Sequence, residues 1–123
     1  MHVAQPLGDY LPYDLIVDSG QEIHRVQIKT VTKPESDKPN KFGFSLKSGL
    51  EGHPYHDGSL DFFGLIILPL RTIYIVPQHK LSGKVKAYTY PEDPNSAGSL
   101  ETYKEGWNLL EKVFVLYIEL FKC

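Results

Sequence analysis

The alternation of polar and apolar side chains near the N-terminus predicts a β-hairpin. Residues 13–17 (YDLIV) have the composition of a short strand. Residues 18–21 (DSGQ) are typical of a turn, in which Gly20 tolerates a positive φ. Residues 22–31 then alternate polar and apolar side chains with the period of two expected for a strand. We therefore predict two antiparallel strands joined by a short turn.

Four later segments also have apolar patterns typical of strands. Residues 42–46 alternate large apolar with smaller or polar residues and predict a third strand, after a proline- and lysine-rich loop over 33–41. Residues 60–68 are a nearly continuous apolar run, as in a buried strand. Residues 72–76 are rich in β-branched side chains, and residues 85–90 predict an edge strand.

The C-terminal segment has the spacing of an amphipathic helix. Thr102 and Glu105 fit a capping box, in which each side chain bonds an otherwise unpaired backbone N–H. Apolar residues then recur every three or four positions, at Leu100, Tyr103, Trp107, Leu110, Phe114, Tyr117 and Phe121. We predict a helix over about 100–121 and an α+β fold with a mixed or antiparallel sheet of about five strands.

Length and composition favour one globular domain over residues 1–123, with its core over 10–90. The 123 residues are enough for a single core, and the apolar run 62–70 is far shorter than a bilayer span of about 20 residues. No signal peptide is recognised, so a cytoplasmic location without a membrane partner is expected. The one cysteine, Cys123, excludes a disulfide framework or a cysteine-rich zinc site within one chain.

Charge is unevenly distributed, although the formal net charge is only −2. The stretch from residue 25 to residue 47 contains two acids and six basic residues, Arg25, Lys29, Lys33, Lys38, Lys41 and Lys47. Such a basic section is able to follow a phosphate backbone. The alternative interpretation is a solvated, lysine-rich loop.

The hairpin predicts which side chains share a face. If residues 19–20 form a two-residue turn, the numbers of opposed residues add to 39, and Asp14 faces Arg25. Opposed residues point to one side of a sheet, and side chains repeat with a period of two. We therefore predict that Gln27 and Lys29 share a face with that pair.

These side chains suit phosphodiester hydrolysis. Mg²⁺ prefers oxygen ligands, which Asp14, the Gln27 side chain and a nearby carbonyl, that of Ile28, are able to supply. Lys29 is positioned to orient the attacking water and to offset charge that builds on the phosphate. Arg25 is expected either to contact a phosphate or to pair with Asp14 across the strands. The alternative is a purely structural one, in which Asp14 caps backbone groups near the turn and Lys29 is solvated.

The hairpin segments YDLIVD (13–18) and RVQIKT (25–30) resemble the hairpin of the PD-(D/E)XK nuclease superfamily. More narrowly, they resemble its branch of cyanobacterial group I intron homing endonucleases, in which Gln replaces the usual acid. Later segments resemble the next core strands (60–63 and 73–77) and the closing helix (103–110) of that branch. The similarity covers roughly residues 6–110.

The resemblance implies a restriction-endonuclease-like fold, in which a central mixed sheet is flanked by helices. It implies metal-dependent hydrolysis of double-stranded DNA with Mg²⁺ or Mn²⁺, commonly by a homo-oligomer. By the same resemblance Asp14 is the metal ligand, Gln27 occupies the position of the variable acid, and Lys29 is the catalytic lysine. Arg25 and the lysines at 33, 38, 41 and 47 are the expected contacts to nucleic acid.

One departure from the superfamily concerns the N-terminus. Such nucleases normally begin with a helix that carries a metal-binding glutamate, whereas the first twelve residues contain two prolines and no glutamate. We therefore expect an N-terminally truncated version of the fold. Because Gln27 is neutral, Asp14 would be the only formal charge on the metal. Poor affinity for Mg²⁺ and weak or absent cleavage by this chain alone are the expected results.

Three further features have alternative interpretations. His53 and His56 have a spacing able to hold zinc, but their glycine- and proline-rich surroundings favour an exposed loop. Asp61 is either a hydrogen-bonded carboxylate at the start of a strand or a peripheral site residue. Trp107 has helical spacing and is expected in the core.

Two functions compete with a DNA-cutting enzyme. The first is a catalytically weak or inactive descendant of the nuclease fold that binds DNA or pairs with another subunit. The second is a small structural or oligomerisation domain without affinity for nucleic acid. Metal-dependent nicking separates the enzyme from the first rival, and salt-dependent DNA binding separates both from the second.

Overall fold

The structure is a computed structural model that describes residues 2–5, 11–18, 22–48, 52–93 and 100–106. Strands β1 to β9 of these residues are His2–Ala4, Leu15–Asp18, Ile23–Val31, Phe42–Ser45, Lys47–Ser48, His53–Pro54, Phe62–Ile67, Thr72–Pro77 and Lys86–Thr89. Short 3₁₀ turns occupy Leu68–Leu70, Gln78–Leu81 and Glu101–Tyr103. Within the described ranges, no helix has the length and apolarity needed to cross a membrane.

The central sheet has five strands in the order β1-β2-β3-β7-β8. Strands β3 and β7 are parallel, and the other three neighbouring pairs are antiparallel, so the predicted mixed sheet of about five strands is confirmed. Strand β7 lies inside the sheet, which explains why its sequence FFGLII is apolar throughout. Strand β1 was not predicted from the sequence.

The two faces of this sheet bury different clusters. We call the side that carries the side chains of Gln27 and Lys29 the Gln27 face, and the opposite side the Ile28 face. Phe63 and Leu65 of β7 lie beside Gln27 and Lys29 and belong to the larger cluster. The remaining buried members of that cluster are Phe42, Phe44, Leu46, Leu60, Ile67, Tyr74, Val76, Leu81, Ala87 and Leu100. The Ile28 face buries a smaller cluster around Val17, Val26 and Ile75.

A separate layer covers the Gln27 face. Strands β4 and β9 were predicted as a third strand and an edge strand, but they pair with each other in an antiparallel two-stranded sheet. Phe42, Phe44 and Ala87 point inward to the larger cluster, while Tyr88 is exposed on the outer side. The alternation predicted for these segments is therefore correct, since each strand has one buried side. Their pairing partner depends on a contact between distant segments that alternation does not encode.

The hairpin of β2 and β3 is present, but its predicted register is wrong. Leu15 lies opposite Val26 and Asp18 lies opposite Ile23, so opposed numbers add to 41 rather than 39. The reason is the place of the connection: residues 19–22 separate the last opposed pair, whereas the prediction had either a two-residue turn at 19–20 or a four-residue loop at 18–21. A shift of two positions preserves the side on which each side chain points. Arg25 consequently faces Ile16, and not Asp14.

The predicted helix over 100–121 is wrong at its start. Glu101–Tyr103 forms a single 3₁₀ turn, Lys104 is extended and bridges to Tyr74 of β8, and Glu105 has a positive φ of 52°. The capping box fails because the Glu105 carboxylate accepts a hydrogen bond from the Ile73 N–H at 3.3 Å. Contact with the edge of β8 thus replaces the first helical turn. The rest of the predicted helix, including Trp107, lies outside the described residues.

Candidate active site

Gln27 and Lys29 lie on β3, where they point to the same face of the sheet. Gln27 is buried and lies beside Phe63 in the parallel pairing with β7, while Lys29 lies beside Leu65 and is half-buried. Asp14 directly precedes β2 and is exposed. The pairing of β2 with β3 extends to Leu15 opposite Val26 and does not include Asp14. Gln27 and Lys29 share a face, as predicted, whereas the place of Asp14 on that face stays a prediction.

The carboxylate of Asp14 is bound to the backbone of β3. Its Oδ2 accepts a hydrogen bond from the Ile28 N–H at 2.9 Å, and the Asp14 N–H donates to the Val26 carbonyl at 2.9 Å. Strand β2 begins only at Leu15, so the side chain of Asp14 occupies the place of the next backbone acceptor in the ladder. A backbone donor thereby fixes the position of the carboxylate.

The carbonyl of Ile28 lies at the same place. In an antiparallel ladder the N–H and C=O of one residue point toward the same neighbouring strand. Since the Ile28 N–H reaches Asp14, its carbonyl is also directed to the side where β2 has ended. The Gln27 side-chain amide donates to this carbonyl at 3.4 Å, a long hydrogen bond. The Asp14 carboxylate and the Gln27 side chain therefore both contact the backbone of Ile28.

This donor set fits a hard divalent cation. One anionic carboxylate with neutral amide and carbonyl oxygens is the ligand chemistry that Mg²⁺ accepts, with water completing the shell. The Ile28 N–H uses one of about four lone-pair positions on the Asp14 carboxylate, which leaves acceptor capacity for a metal. Among the described residues, no three His, Cys, Asp or Glu side chains group together as a metal site. A metal at this position would therefore depend on neutral oxygens as well as on Asp14.

Lys29 is held above an aromatic ring. Its Nζ lies 5.1 Å from the centroid of the Tyr55 ring and donates to the Lys47 carbonyl at 3.4 Å. Tyr55 in turn packs edge-to-face on Phe63, with ring centroids 5.5 Å apart. The ammonium group therefore lies on the Gln27 face, against residues that follow β4.

Arg25 is engaged in an ion pair with Asp61. The guanidinium donates to Asp61 Oδ2 through Nε at 3.2 Å and to Oδ1 through Nη2 at 3.3 Å, and the Arg25 N–H donates to Oδ2 at 2.7 Å. Partial burial of Asp61 opposes its ionisation, but these hydrogen bonds and the charge of Arg25 outweigh it and lower the pKa of the carboxyl. Asp61 is thus a hydrogen-bonded carboxylate at the start of β7, the first of its two predicted alternatives. The proposed pairing of Arg25 with Asp14 is wrong.

The other predicted DNA-contacting lysines lie on the surface. Lys33 and Lys38 are exposed in the loop before β4, and Lys41 extends over the ring of Tyr88, with Nζ 4.1 Å from its centroid. Lys47 is exposed on β5. Three of these lysines precede β4 and the fourth lies in β5. The backbone carbonyl of Lys47 also accepts the hydrogen bond from Lys29.

The loop prediction for His53 and His56 is only partly correct, because His53 lies in strand β6. Both are exposed, and the carbonyl of His56 accepts a hydrogen bond from the Gln78 side chain at 2.7 Å. Gln78 also accepts from the Gly58 N–H at 2.9 Å, so the buried amide of Gln78 fixes the backbone of this segment.

A family model described as PD-(D/E)XK endonuclease matches residues 1–107. The chain belongs to the PD-(D/E)XK endonuclease family. A search of the solved structures matched the bacterial homing endonuclease I-Ssp6803I with a TM-score of 0.75 and 24% sequence identity. The match covers 89% of this chain and 78% of that protein. At this identity the likeness shows the fold, and it supports the restriction-endonuclease-like sheet. No match was found among the curated proteins.

Membership of the PD-(D/E)XK family confirms the predicted nuclease resemblance and assigns the chain to a class of endonucleases. The correspondence of Asp14 with the D of the family name, of Gln27 with the second acid and of Lys29 with the K stays a prediction from the sequence. That prediction rests on the resemblance of the hairpin segments 13–18 and 25–30.

One residue beside this site was missed in the sequence. Tyr55 was read only as part of a glycine- and proline-rich loop, yet its ring lies under the Lys29 ammonium. In the sequence, the only sign of this role is an aromatic residue directly after Pro54. Tyr55 lies 26 positions after Lys29 in the sequence, so no local pattern indicates their contact.

Proposed function

We propose that the chain is a metal-dependent endonuclease that hydrolyses phosphodiester bonds of double-stranded DNA. In this proposal Asp14, Gln27 and the Ile28 carbonyl bind Mg²⁺ or Mn²⁺, and Lys29 acts beside the attacked phosphate. The observation that carries it is the hydrogen bond from the Ile28 N–H to Asp14, because it fixes the Asp14 carboxylate beside Ile28, which follows Gln27 on β3.

Each residue has a distinct chemical role in the proposal. Asp14 contributes the negative charge that draws a cation to the end of the ladder, and Gln27 contributes a neutral oxygen from a buried position. A divalent ion bound there would lower the pKa of a coordinated water and polarise the phosphate. Lys29 carries a positive charge that stabilises the negative charge developing on the phosphate oxygens.

Duplex DNA is the substrate that the comparisons support. The family is one of endonucleases, which generally use divalent metal ions, and the solved relative is a homing endonuclease. One site of this kind attacks one phosphodiester bond, so we include a homo-oligomer in the proposal to account for cutting of both strands. A cytoplasmic location, where genomic DNA of a bacterium is accessible, is consistent with the proposal.

The lysines of the loop before β4 and of β5 are the proposed path of the DNA backbone. Lys33, Lys38, Lys41 and Lys47 are basic side chains on the segment that also contacts Lys29 through the Lys47 carbonyl. Each lysine that contacts a phosphate releases counterions on binding. Replacing Lys41 by Gln should therefore reduce the slope of log affinity against log salt by about 1. An unchanged slope, relative to the exposed control Lys80→Gln, would remove Lys41 from the path.

The direct test of the proposal is nicking of supercoiled plasmid DNA in Mg²⁺ or Mn²⁺. We expect metal-dependent nicking that Asp14→Ala and Lys29→Ala abolish. The control Lys80→Ala, which alters an exposed lysine of the 3₁₀ turn after β8, should leave nicking unchanged. Because Gln27 is neutral, slow nicking that needs millimolar metal fits the proposal, whereas nicking that survives Asp14→Ala contradicts it.

A DNA-binding module without catalysis is the second candidate. It is favoured by one observation, the neutral Gln27 beside a single carboxylate, because one formal charge binds Mg²⁺ weakly. This candidate predicts DNA binding that weakens steeply with salt and no nicking at any metal concentration. The same plasmid assay, read together with a binding titration, separates the two functions.

A further inference from the structure

Tyr55 and the Lys47 carbonyl hold the same ammonium group. Lys29 Nζ lies 5.1 Å from the centroid of the Tyr55 ring and donates to the Lys47 oxygen at 3.4 Å. A cation over the face of an aromatic ring at this distance is attracted by the ring quadrupole. Lys29 is thereby contacted by a ring and by a backbone acceptor.

Both contacts come from one small element of the fold. Lys47–Ser48 (β5) pairs with His53–Pro54 (β6), with Lys47 opposite Pro54, and Tyr55 follows directly. We call residues 47–48 and 53–55 the lysine arm. Because β5 and β6 are hydrogen-bonded to each other, the Lys47 carbonyl and the Tyr55 ring keep a fixed spacing.

The lysine arm is anchored to the core beside Gln27. The Tyr55 ring packs edge-to-face on Phe63 at an interplanar angle of 75°, and Phe63 is 2% exposed. Phe63 is also the residue of β7 that lies beside Gln27 in the parallel pairing. The ring under Lys29 is therefore positioned by the same buried residue that flanks Gln27.

We infer that Tyr55 is a positioning residue, which holds the Lys29 ammonium in place for phosphodiester cleavage. The inference rests on the proposed function of Lys29 and extends it to a residue outside the hairpin. A free lysine side chain has many rotamers, and fixing it before the reaction removes an entropic cost from the catalytic step. The electrostatic attraction requires an aromatic face, and the phenolic hydroxyl is not needed for it.

The test compares Tyr55→Phe with Tyr55→Leu. At saturating DNA and metal, Tyr55→Leu should lower kcat about three- to ten-fold with little change in KM, while Tyr55→Phe should retain the wild-type value. Tyr88→Leu is the matched control, because that ring lies under Lys41 and Lys86 instead, and its kcat should be unchanged. Thermal unfolding of both variants shows whether a lower kcat results from a loss of folding.

A second readout does not depend on cleavage. In the free protein, the Lys29 Cε protons should have an upfield ring-current shift by NMR, which Tyr55→Phe keeps and Tyr55→Leu removes. A wild-type protein without that shift, or a Tyr55→Leu variant that loses the shift but keeps kcat, overturns the inference while the nuclease proposal stands. A protein that shows the shift but nicks no DNA overturns the proposed function and, with it, the catalytic role given to Tyr55.

Discussion

The Ile28 N–H donates to Asp14 Oδ2 at 2.9 Å, where the pairing of β2 with β3 ends. Asp14 therefore has one observed role and one proposed role, which differ in what they require. The hydrogen bond to Ile28 requires an acceptor oxygen, whereas the proposed metal site requires a negative charge. Substitutions that retain one property and remove the other make the two roles experimentally separable.

Replacing Gln27 by glutamate should strengthen metal binding and weaken the metal-free fold. A second carboxylate beside Asp14 raises the negative charge at the proposed site, so we expect about ten-fold tighter binding of Mn²⁺. Gln27 is buried, and an unpaired buried carboxylate is costly, so the metal-free variant should be less stable by about 1–3 kcal/mol. Added Mn²⁺ should restore that stability, because the ion binds only the folded state.

Isothermal titration with Mn²⁺ and urea unfolding with and without metal check this expectation. Gln78→Glu is the matched control, since Gln78 is also buried but binds the His56 and Gly58 backbone away from the hairpin. It should be destabilised without rescue by metal. Equal rescue of both variants would argue against a metal site at Gln27.

The Arg25–Asp61 ion pair should make stability depend on acid pH. Asp61→Asn should cost about 1 kcal/mol at pH 7, toward the lower end for charged hydrogen bonds, because both side chains are about one-third exposed. The pKa of Asp61 is lowered in the folded state, so its contribution is present above the unfolded pKa and is lost as pH falls through the folded value. The difference between wild type and variant should therefore shrink below about pH 4.

Urea unfolding at pH 7, 5, 4 and 3 measures that difference. Asp37→Asn serves as the control, because Asp37 is exposed and has a φ of 69°, a conformation that asparagine also tolerates. Its stability should stay within about 0.5 kcal/mol of wild type at every pH. If the difference in unfolding free energy between wild type and Asp61→Asn increased toward acid pH, the ion pair would not be the source of the stabilisation.

Tyr74 and Glu101 connect the residues after 100 to the core. The buried Tyr74 hydroxyl donates to Glu101 Oε1 at 2.7 Å, and Oε2 of the same carboxylate accepts from the Tyr90 N–H at 2.9 Å. Burial of the ring, followed by the hydrogen bond to Glu101, raises the pKa of Tyr74. Tyr74→Phe should reduce the free energy of unfolding by about 1–3 kcal/mol, because the carboxylate loses a partner.

The sign of the pH dependence gives a second check on Tyr74. Its pKa is higher in the folded than in the unfolded protein, so its contribution is complete below about pH 10 and decreases as the pH rises further. The stability gap between wild type and Tyr74→Phe should therefore be constant up to about pH 10 and narrow above it in urea unfolding. A gap that is absent at pH 7 would mean that the hydroxyl does not stabilise the fold.

Local alternation was sufficient to predict most strands but not their partners. Strands β3, β7 and β8 were predicted within a few residues, because apolar runs and β-branched residues mark them locally. The separate pairing of β4 with β9 joins segments more than 40 positions apart, which no local pattern specifies. The C-terminal prediction failed where Lys104 bridges to Tyr74, since a contact with β8 overrides the helical spacing.

One part of the candidate site could be predicted despite the error in the hairpin register. Gln27 and Lys29 share a face because side chains of one strand alternate with a period of two, whatever the register, while the place of Asp14 on that face stays a prediction. The partner of Arg25 was missed for the same reason that Tyr55 was missed. Asp61 and Tyr55 approach β3 from later segments, and only the folded structure brings them there.

The central claim is that the charge of Asp14 binds a divalent ion, and metal binding by Asp14→Asn tests it most directly. Asparagine keeps an acceptor oxygen for the Ile28 N–H, so urea unfolding should give a stability within about 0.5 kcal/mol of wild type. Titration with Mn²⁺ should nonetheless show at least about ten-fold weaker binding than wild type, because the anionic ligand is gone. A variant that folds normally and binds Mn²⁺ as tightly as wild type would contradict the claim.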